Sequence, residues 1–250
     1  MVKGLELFKK GFRDFEDQYV IIGGTACDSN FRAEKKTFRV TKDIDLVLIV
    51  EALTAEFVRR FWAFVKDAGY EHKNKSTGNV QFYRFSCPEN NEYPYMIELF
   101  SRNPAFIELK EDAVLTPLPV DDEISSLSAI VLNESYYALL KHGRVILDGI
   151  PFLNPPCLIA FKAKAYLDLK KKNEEGFHVD STTIKKHKND VYRLSTLLKE
   201  YESYPLEGEV ACDMKSFILK MWKEDIDLKS LGIKTSKKAI LELLEKYFTL

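Results

Sequence analysis

The sequence predicts an α+β domain followed by a helical one, and three observations carry that reading. Short β-prone runs alternate with stretches of helical spacing through the first part of the chain. The pair Asp148-Gly149, set between "RVIL" and "IPFL", marks a two-residue hairpin turn. From Pro155 onward the β-prone runs give way to capped, periodic helical segments. The expected domains are therefore 1–154, with a mixed β-sheet and flanking helices, and 155–250, a C-terminal helical bundle.

Each element follows from local pattern. Leu5, Leu7, Phe8, Phe12 and Phe15 fall close to one helical stripe, and "YVII" then reads as a short buried strand that ends in Gly23-Gly24. After a polar connection, "DIDLVLIV" is strongly β-prone. "TAEFVRRFWAFVKDAGY" opens on a Thr54 cap and repeats apolar residues at helical spacing up to Gly69. "VQFYRFSC" and "YPYMIELFS" read as strands separated by the turn-rich "PENNEY", and "SSLSAIVLN" as a further strand. In the second half, "PPCLIAFKAKAYLDLKKKN", "STTIKKHKNDVYRLSTLLKEY", "GEVACDMKSFILKMWKED" and "TSKKAILELLEKYF" read as helices, the first with prolines at its start. The last is amphipathic, with a face able to pack internally or against a partner.

Composition narrows the function classes. A chain of 250 residues with 46% hydrophobic and 30% charged residues can bury a substantial core and has none of the bias of a disordered segment. The net charge of −1 means that affinity for polyanions has to come from local patches. The first residues alternate apolar and charged side chains without the apolar core of a signal peptide, and no segment is long enough to span a bilayer, so the expected location is the cytoplasm. Cys27, Cys87, Cys157 and Cys212 show no paired spacing, and the four histidines are equally scattered, which excludes a zinc knuckle and a histidine-based metal centre.

The chemistry is concentrated at Asp43 and Asp45. At i, i+2 on a strand their side chains emerge on one face, and their mutual repulsion is relieved by a cation; oxygen-only ligands favour Mg²⁺ or Mn²⁺. Alone, such a pair reads as solvated charge at a strand end. Here Gly23, Gly24 and Thr25 stand upstream at the end of a hydrophobic strand, where glycines let backbone N–H groups approach phosphate and a threonine hydroxyl adds a donor. Downstream, Glu98 interrupts "YMIELF" on the strand face of Met96 and Phe100, an awkward place for a charge unless it meets a metal or a partner. Lys42 points to the opposite strand face from its aspartate neighbours.

In this order, "GGT", "TKDID" and "IELF" resemble the nucleotidyltransferase superfamily of the DNA polymerase β type. The resemblance implies that Asp43 and Asp45 hold two metal ions about 4 Å apart, with Glu98 completing the site. It implies a nucleoside triphosphate substrate, its outer phosphates cradled by Gly23, Gly24 and Thr25, and transfer of a nucleoside monophosphate to an acceptor hydroxyl with release of pyrophosphate.

Within that superfamily, Arg39-x-Thr41-x-Asp43, followed by "LIAFKAKAYLDL" and "IKKHKNDVYRLSTLL", looks like the AbiEii family of bacterial toxin-type nucleotidyltransferases. Carried over by position, its functional residues fall on Arg39, Thr41, Lys162, Lys186 and Asp190; His187 stands where an aspartate is usual. The family implies an RNA or protein acceptor and a cognate antitoxin. From Lys162 to Arg193 nine basic residues face five acidic ones, a surplus suited to triphosphate or RNA. Lys162 itself lies in an apolar helix segment and needs a charged partner or a ligand. Tyr83, Phe85, Tyr93, Tyr95 and Tyr166 have rings able to stack on a base, although most such rings belong to cores. Two other readings fit the same motifs: transfer to a small molecule such as an antibiotic, and a nucleotide-binding module without catalysis.

Overall fold

The computed structural model describes residues 2–77, 80–102, 116–117, 130–131 and 133–250. The chain forms two compact units, one of residues 1–120 with 140–154 and one of residues 121–139 with 155–250.

The first unit is built on an eight-stranded mixed sheet. In chain order it contains α1 (Leu5–Phe12), β1 (Tyr19–Ile22), α2 (Gly23–Ala33), β2 (Asp43–Leu48), α3 (Ala55–Ala68), β3 (Glu71–Thr77), β4 (Val80–Ser86), β5 (Met96–Ser101), β6 (Thr116–Pro117), β7 (Arg144–Leu147) and β8 (Ile150–Leu153). The strands lie in the order β6-β3-β4-β5-β2-β1-β8-β7. Strand β2 is antiparallel to β1 and parallel to β5, and it alternates by face. Ile44, Leu46 and Leu48 are fully buried on one side while Asp43 and Asp45 are half-buried on the other.

An aromatic layer of α1 and α3 covers the sheet. Phe12 lies with its ring centroid 5.4 to 6.0 Å from Phe57, Phe61 and Phe64, and Phe8 stacks on it at 4.4 Å. Helix α1 stops at Phe12, short of the stripe's last member, and Phe15 packs edge-on against Phe57 from the following turn. The Thr54 hydroxyl caps α3 by accepting the Phe57 N–H at 3.2 Å. Strands β7 and β8 form the expected hairpin, with Asp148 and Gly149 both at positive φ, the conformation that matches strand twist.

Four elements go beyond the expectation, the two-residue β6 among them. The stretch after Gly24, read from the residues as a polar connection, is helix α2. It shows no apolar period because Asp28 and Asn30 occupy buried positions. The Asn30 amide donates to Ala26 O at 2.8 Å and to Leu153 O at 3.0 Å, so a polar side chain ties this helix to β8. Strand β3, "EHKNKST", is too polar to signal a strand and is placed by pairing with β4 and β6. A helix α4 (Glu134–His142), across which the two units divide, starts where the Asn133 side chain accepts the N–H groups of Ser135 and Tyr136. The strand expected over "SSLSAIVLN" lies mostly outside the described residues; its described members Ile130 and Val131 are helical, a correction at those positions.

The second unit carries α5 (Pro155–Glu174), α6 (Ser181–Ser195), α7 (Gly208–Lys223) and α8 (Lys237–Tyr247). Helix α5 is buried along most of its circumference and packs on α6 and α7. The last helix turns its apolar face inward: Ile240, Leu241, Leu244 and Phe248 are buried, and Tyr204 N–H donates to Tyr247 O at 2.7 Å. Among the described residues, no helix is long and apolar enough to cross a membrane.

Candidate active site

The site begins with the pairing of β1 and β2, which sets Ile22 opposite Asp45 and so puts the glycine turn against the acidic strand. Gly23 has φ +66°, and a methyl group there would sit 1.6 Å from Asp45 Oδ2. Only glycine fits this backbone beside this carboxylate. A methyl group on Gly24 would lie 2.6 Å from the Thr41 hydroxyl and 3.8 Å from the Arg39 guanidinium, so the segment leading into β2 passes directly over the turn. No side-chain hydrogen bond caps the first turn of α2. Its backbone N–H groups and helix dipole leave an end of the kind that can receive an anion, with Arg39 beside it.

Thr25 has a partner inside the fold. It is fully buried, and its hydroxyl donates to the Asp43 carbonyl at 2.5 Å, which commits the side chain to holding turn and strand together. What Thr25 offers to a ligand is its backbone.

On the other side of β2, the parallel register sets Asp45 opposite Glu98. Glu98 is buried and hydrogen-bonded to Asp45; burial and then the adjacent Asp45 charge push its carboxyl up to about 9, against the opposing pull of Arg84. Arg84, opposite Glu98 across β4 and β5, donates from Nε at 2.8 Å and from Nη2 at 2.6 Å to the same oxygen, Oε1.

The three carboxylates expected to hold metal are thus brought into one neighbourhood, but not onto one point. Among the described residues no group of three acidic, histidine or cysteine side chains converges. Asp45 turns to Glu98, and Asp43 stands one step along the strand, opposite Met96. The donors are oxygens only, and a pair of close carboxylates that otherwise needs a shared proton and an arginine accepts a hard divalent cation in their place. The residues fit Mg²⁺ or Mn²⁺.

Lys162, Lys186 and Asp190 lie in the helical unit. Lys162 has found the charged partner its position requires: its Nζ is 3.7 Å from Asp190 Oδ2, with both side chains buried, and Arg193 lies 3.4 Å from the other oxygen. Lys186 is half-buried one helical turn before Asp190. The basic surplus of this stretch is largely neutralised locally. Lys164 pairs with Asp168 and Asp213, Lys171 with Glu175, and Lys170 and Lys188 both meet Glu224. Of the rings able to stack on a base, Phe85 and Tyr166 are buried and Tyr93 packs on Phe64; the side chain of Tyr83 lies outside the described residues. Tyr95 is 54% exposed.

Arg84 is the site residue that sequence reasoning passed over. The signal was an arginine inside the β-prone run "VQFYRFSC" with an unexplained glutamate in the next run; the missing piece was the register that joins them.

No protein-family model matches the chain, and no curated protein matches it in sequence. Among solved structures it is similar to an antigenic nucleotidyltransferase-like protein from Paracoccidioides brasiliensis, at 14% identity and a TM-score of 0.41 over 96% of this chain and 99% of that one. Cid1 in complex with its short product ApU gives 13% identity and a TM-score of 0.31 over 97% of this chain, which spans 63% of the Cid1 chain. A cytoplasmic RNA terminal U-transferase gives 12% and 0.29, over 90% of this chain and 70% of that one. These likenesses are too distant to carry function, which has to be read from the side chains themselves.

Proposed function

We infer that the chain is a metal-dependent nucleotidyltransferase of the polymerase β type. The observation that carries this reading is the Gly23–Asp45–Glu98 contact, in which a glycine turn at a helix start lies flush against two carboxylates paired across parallel strands. Anion-binding backbone and cation-binding oxygens side by side are what a metal–triphosphate complex requires.

Asp43, Asp45 and Glu98 would hold Mg²⁺ or Mn²⁺, which when bound screens the triphosphate charge and acidifies the acceptor hydroxyl. The N–H groups of Gly23, Gly24 and Thr25 hold the outer phosphates, and Arg39 with Thr41 closes over them. Glu98, ionised once a cation offsets the neighbouring Asp45 charge, would receive the proton of the attacking hydroxyl, with Arg84 orienting it. The acceptor oxygen joins the α-phosphorus as pyrophosphate leaves.

The finer reading is a toxin-type enzyme of the AbiEii kind, which transfers a nucleoside monophosphate to RNA or protein and is restrained by an antitoxin. Lys162, Lys186 and Asp190 then belong to its helical half; with Lys162 and Asp190 buried in their own ion pair, they order α6. The test is incubation with Mg²⁺, bacterial RNA and each α-³²P-labelled nucleoside triphosphate, beside Asp43→Ala. Label on RNA that the variant fails to produce is the expected result. No label on RNA, protein or antibiotic acceptors would refute transfer.

One observation favours the second reading, a nucleotide-binding module without catalysis: the Arg84 fork already balances part of the Glu98 charge. Metal-dependent binding of nucleotide with no release of pyrophosphate would decide for it.

A further inference from the structure

We propose that Arg84 is a charge filter at the carboxylates: it weakens the site for a bare divalent cation and favours a cation that arrives with a triphosphate. This rests on the transfer reading above and names how that site is regulated. Strand register places the residue. Asp45, Glu98 and Arg84 are consecutive partners across β2, β5 and β4, so they form one row on one face of the sheet. Two N–H groups of the guanidinium, on Nε at 2.8 Å and on Nη2 at 2.6 Å, converge on the single oxygen Oε1 of Glu98. The Arg84 and Glu98 side chains are only 22% and 10% exposed, so little water screens the pair.

That contact opposes a bare cation in two ways. An ion that takes Oε1 has to displace two charge-assisted hydrogen bonds, and an ion held by Glu98 and Asp45 sits beside a fixed positive charge. Formal charge gives the consequence. When ionised, Asp43, Asp45 and Glu98 together with Arg84 leave two negative charges, which one divalent cation neutralises; a second leaves the cluster positive. A divalent cation bound to a nucleoside triphosphate is different, because the complex carries net negative charge. The same guanidinium then attracts what arrives. Arg84 therefore separates the bare ion from the ion with its triphosphate by the sign of the charge each brings. An arginine that served only to fasten β4 to β5 would leave metal affinity unchanged, and metal affinity is accordingly the quantity to measure.

The test is a titration of Mn²⁺ into the full chain, read by electron paramagnetic resonance of the free ion, with and without a non-hydrolysable nucleoside triphosphate. Without nucleotide, Arg84→Gln should bind Mn²⁺ at least roughly tenfold more tightly than wild type. Arg84→Lys, which keeps the charge, should bind as wild type. Nucleotide should strengthen Mn²⁺ binding by a larger factor in wild type than in Arg84→Gln. Mn²⁺ should also raise the Tm of Arg84→Gln by more than that of wild type, a readout that serves even a variant weakened by loss of the pair. Unchanged or weaker Mn²⁺ binding in Arg84→Gln, tightening in Arg84→Lys, or equal strengthening by nucleotide would overturn the proposal. The two readings fail separately. Transfer by wild type, alongside unchanged Mn²⁺ affinity in Arg84→Gln, sinks the filter and keeps transfer; tighter Mn²⁺ binding in Arg84→Gln, in a protein that never releases pyrophosphate, sinks transfer and keeps the filter.

Discussion

Replacing Glu98 with Gln should change the pH dependence of stability more than stability itself. In the native protein this carboxyl is held well above its ordinary value of 4.5, by burial and by Asp45, up to about 9. The folded state therefore binds a proton across that window that the unfolded state has released. The stability which depends on this proton is fully present below the ordinary value and is lost as pH rises through the window. Per proton, the slope is about 1.4 kcal/mol per pH unit. From about pH 5.5 to 7.5, in EDTA, the wild type should thus lose about 3 kcal/mol relative to Glu98→Gln, which carries no titrating group there. For a chain of this size that corresponds to roughly 6–12 °C in the difference of Tm, read by thermal melts of both proteins at each pH. Any constant penalty from depriving Arg84 of its partner shifts the level and leaves the slope. A difference in Tm that stays flat across this range would refute the account of Glu98 as a buried carboxyl sharing its proton with Asp45.

Other outcomes follow from the same geometry. Adding Mg²⁺ with a nucleoside triphosphate should raise the wild-type Tm, by about 3 kcal/mol of linkage at a hundredfold excess over Kd, and should do nothing for Asp43→Ala; equal shifts would show that nucleotide binds elsewhere. Gly23→Ala should abolish transfer and cost at least about 1–2 kcal/mol, because it forces a side chain into a left-handed conformation against Asp45, as urea titration would show. Phe12→Ala should cost about 3–5 kcal/mol by opening the aromatic layer between α1 and α3, a loss measurable in the same titration. Lys162→Ala should destabilise by up to about 3–5 kcal/mol, moderated by Arg193, whereas exposed Lys171→Ala should change stability by less than about 0.5 kcal/mol; equal effects would count against the buried ion pair.

How much of this was legible in the sequence depends on what holds each piece. Strand β2 and helix α3 were legible because apolar period and a Thr54 cap act locally. Helix α2 was not, because its stability comes from Asn30 bonding to β8, a contact 123 residues away that leaves no period behind. The acidic and glycine residues of the site declared themselves by type and order. Arg84 could not, since its meaning comes from a register across β4 and β5 that composition does not encode. For Thr25 the sequence showed a hydroxyl in a functional-looking place but not the partner the fold gives it in Asp43 O, whereas Lys162 has in Asp190 the charged partner its apolar surroundings called for.

The Thr25–Asp43 bond has an evolutionary consequence. Because a buried hydroxyl fastens the glycine turn to the backbone of Asp43 at the start of β2, neither can drift without displacing the other, and the two segments are inherited as a single part. Sequence change is freer outside that clasp, as in the exposed residues 32–37.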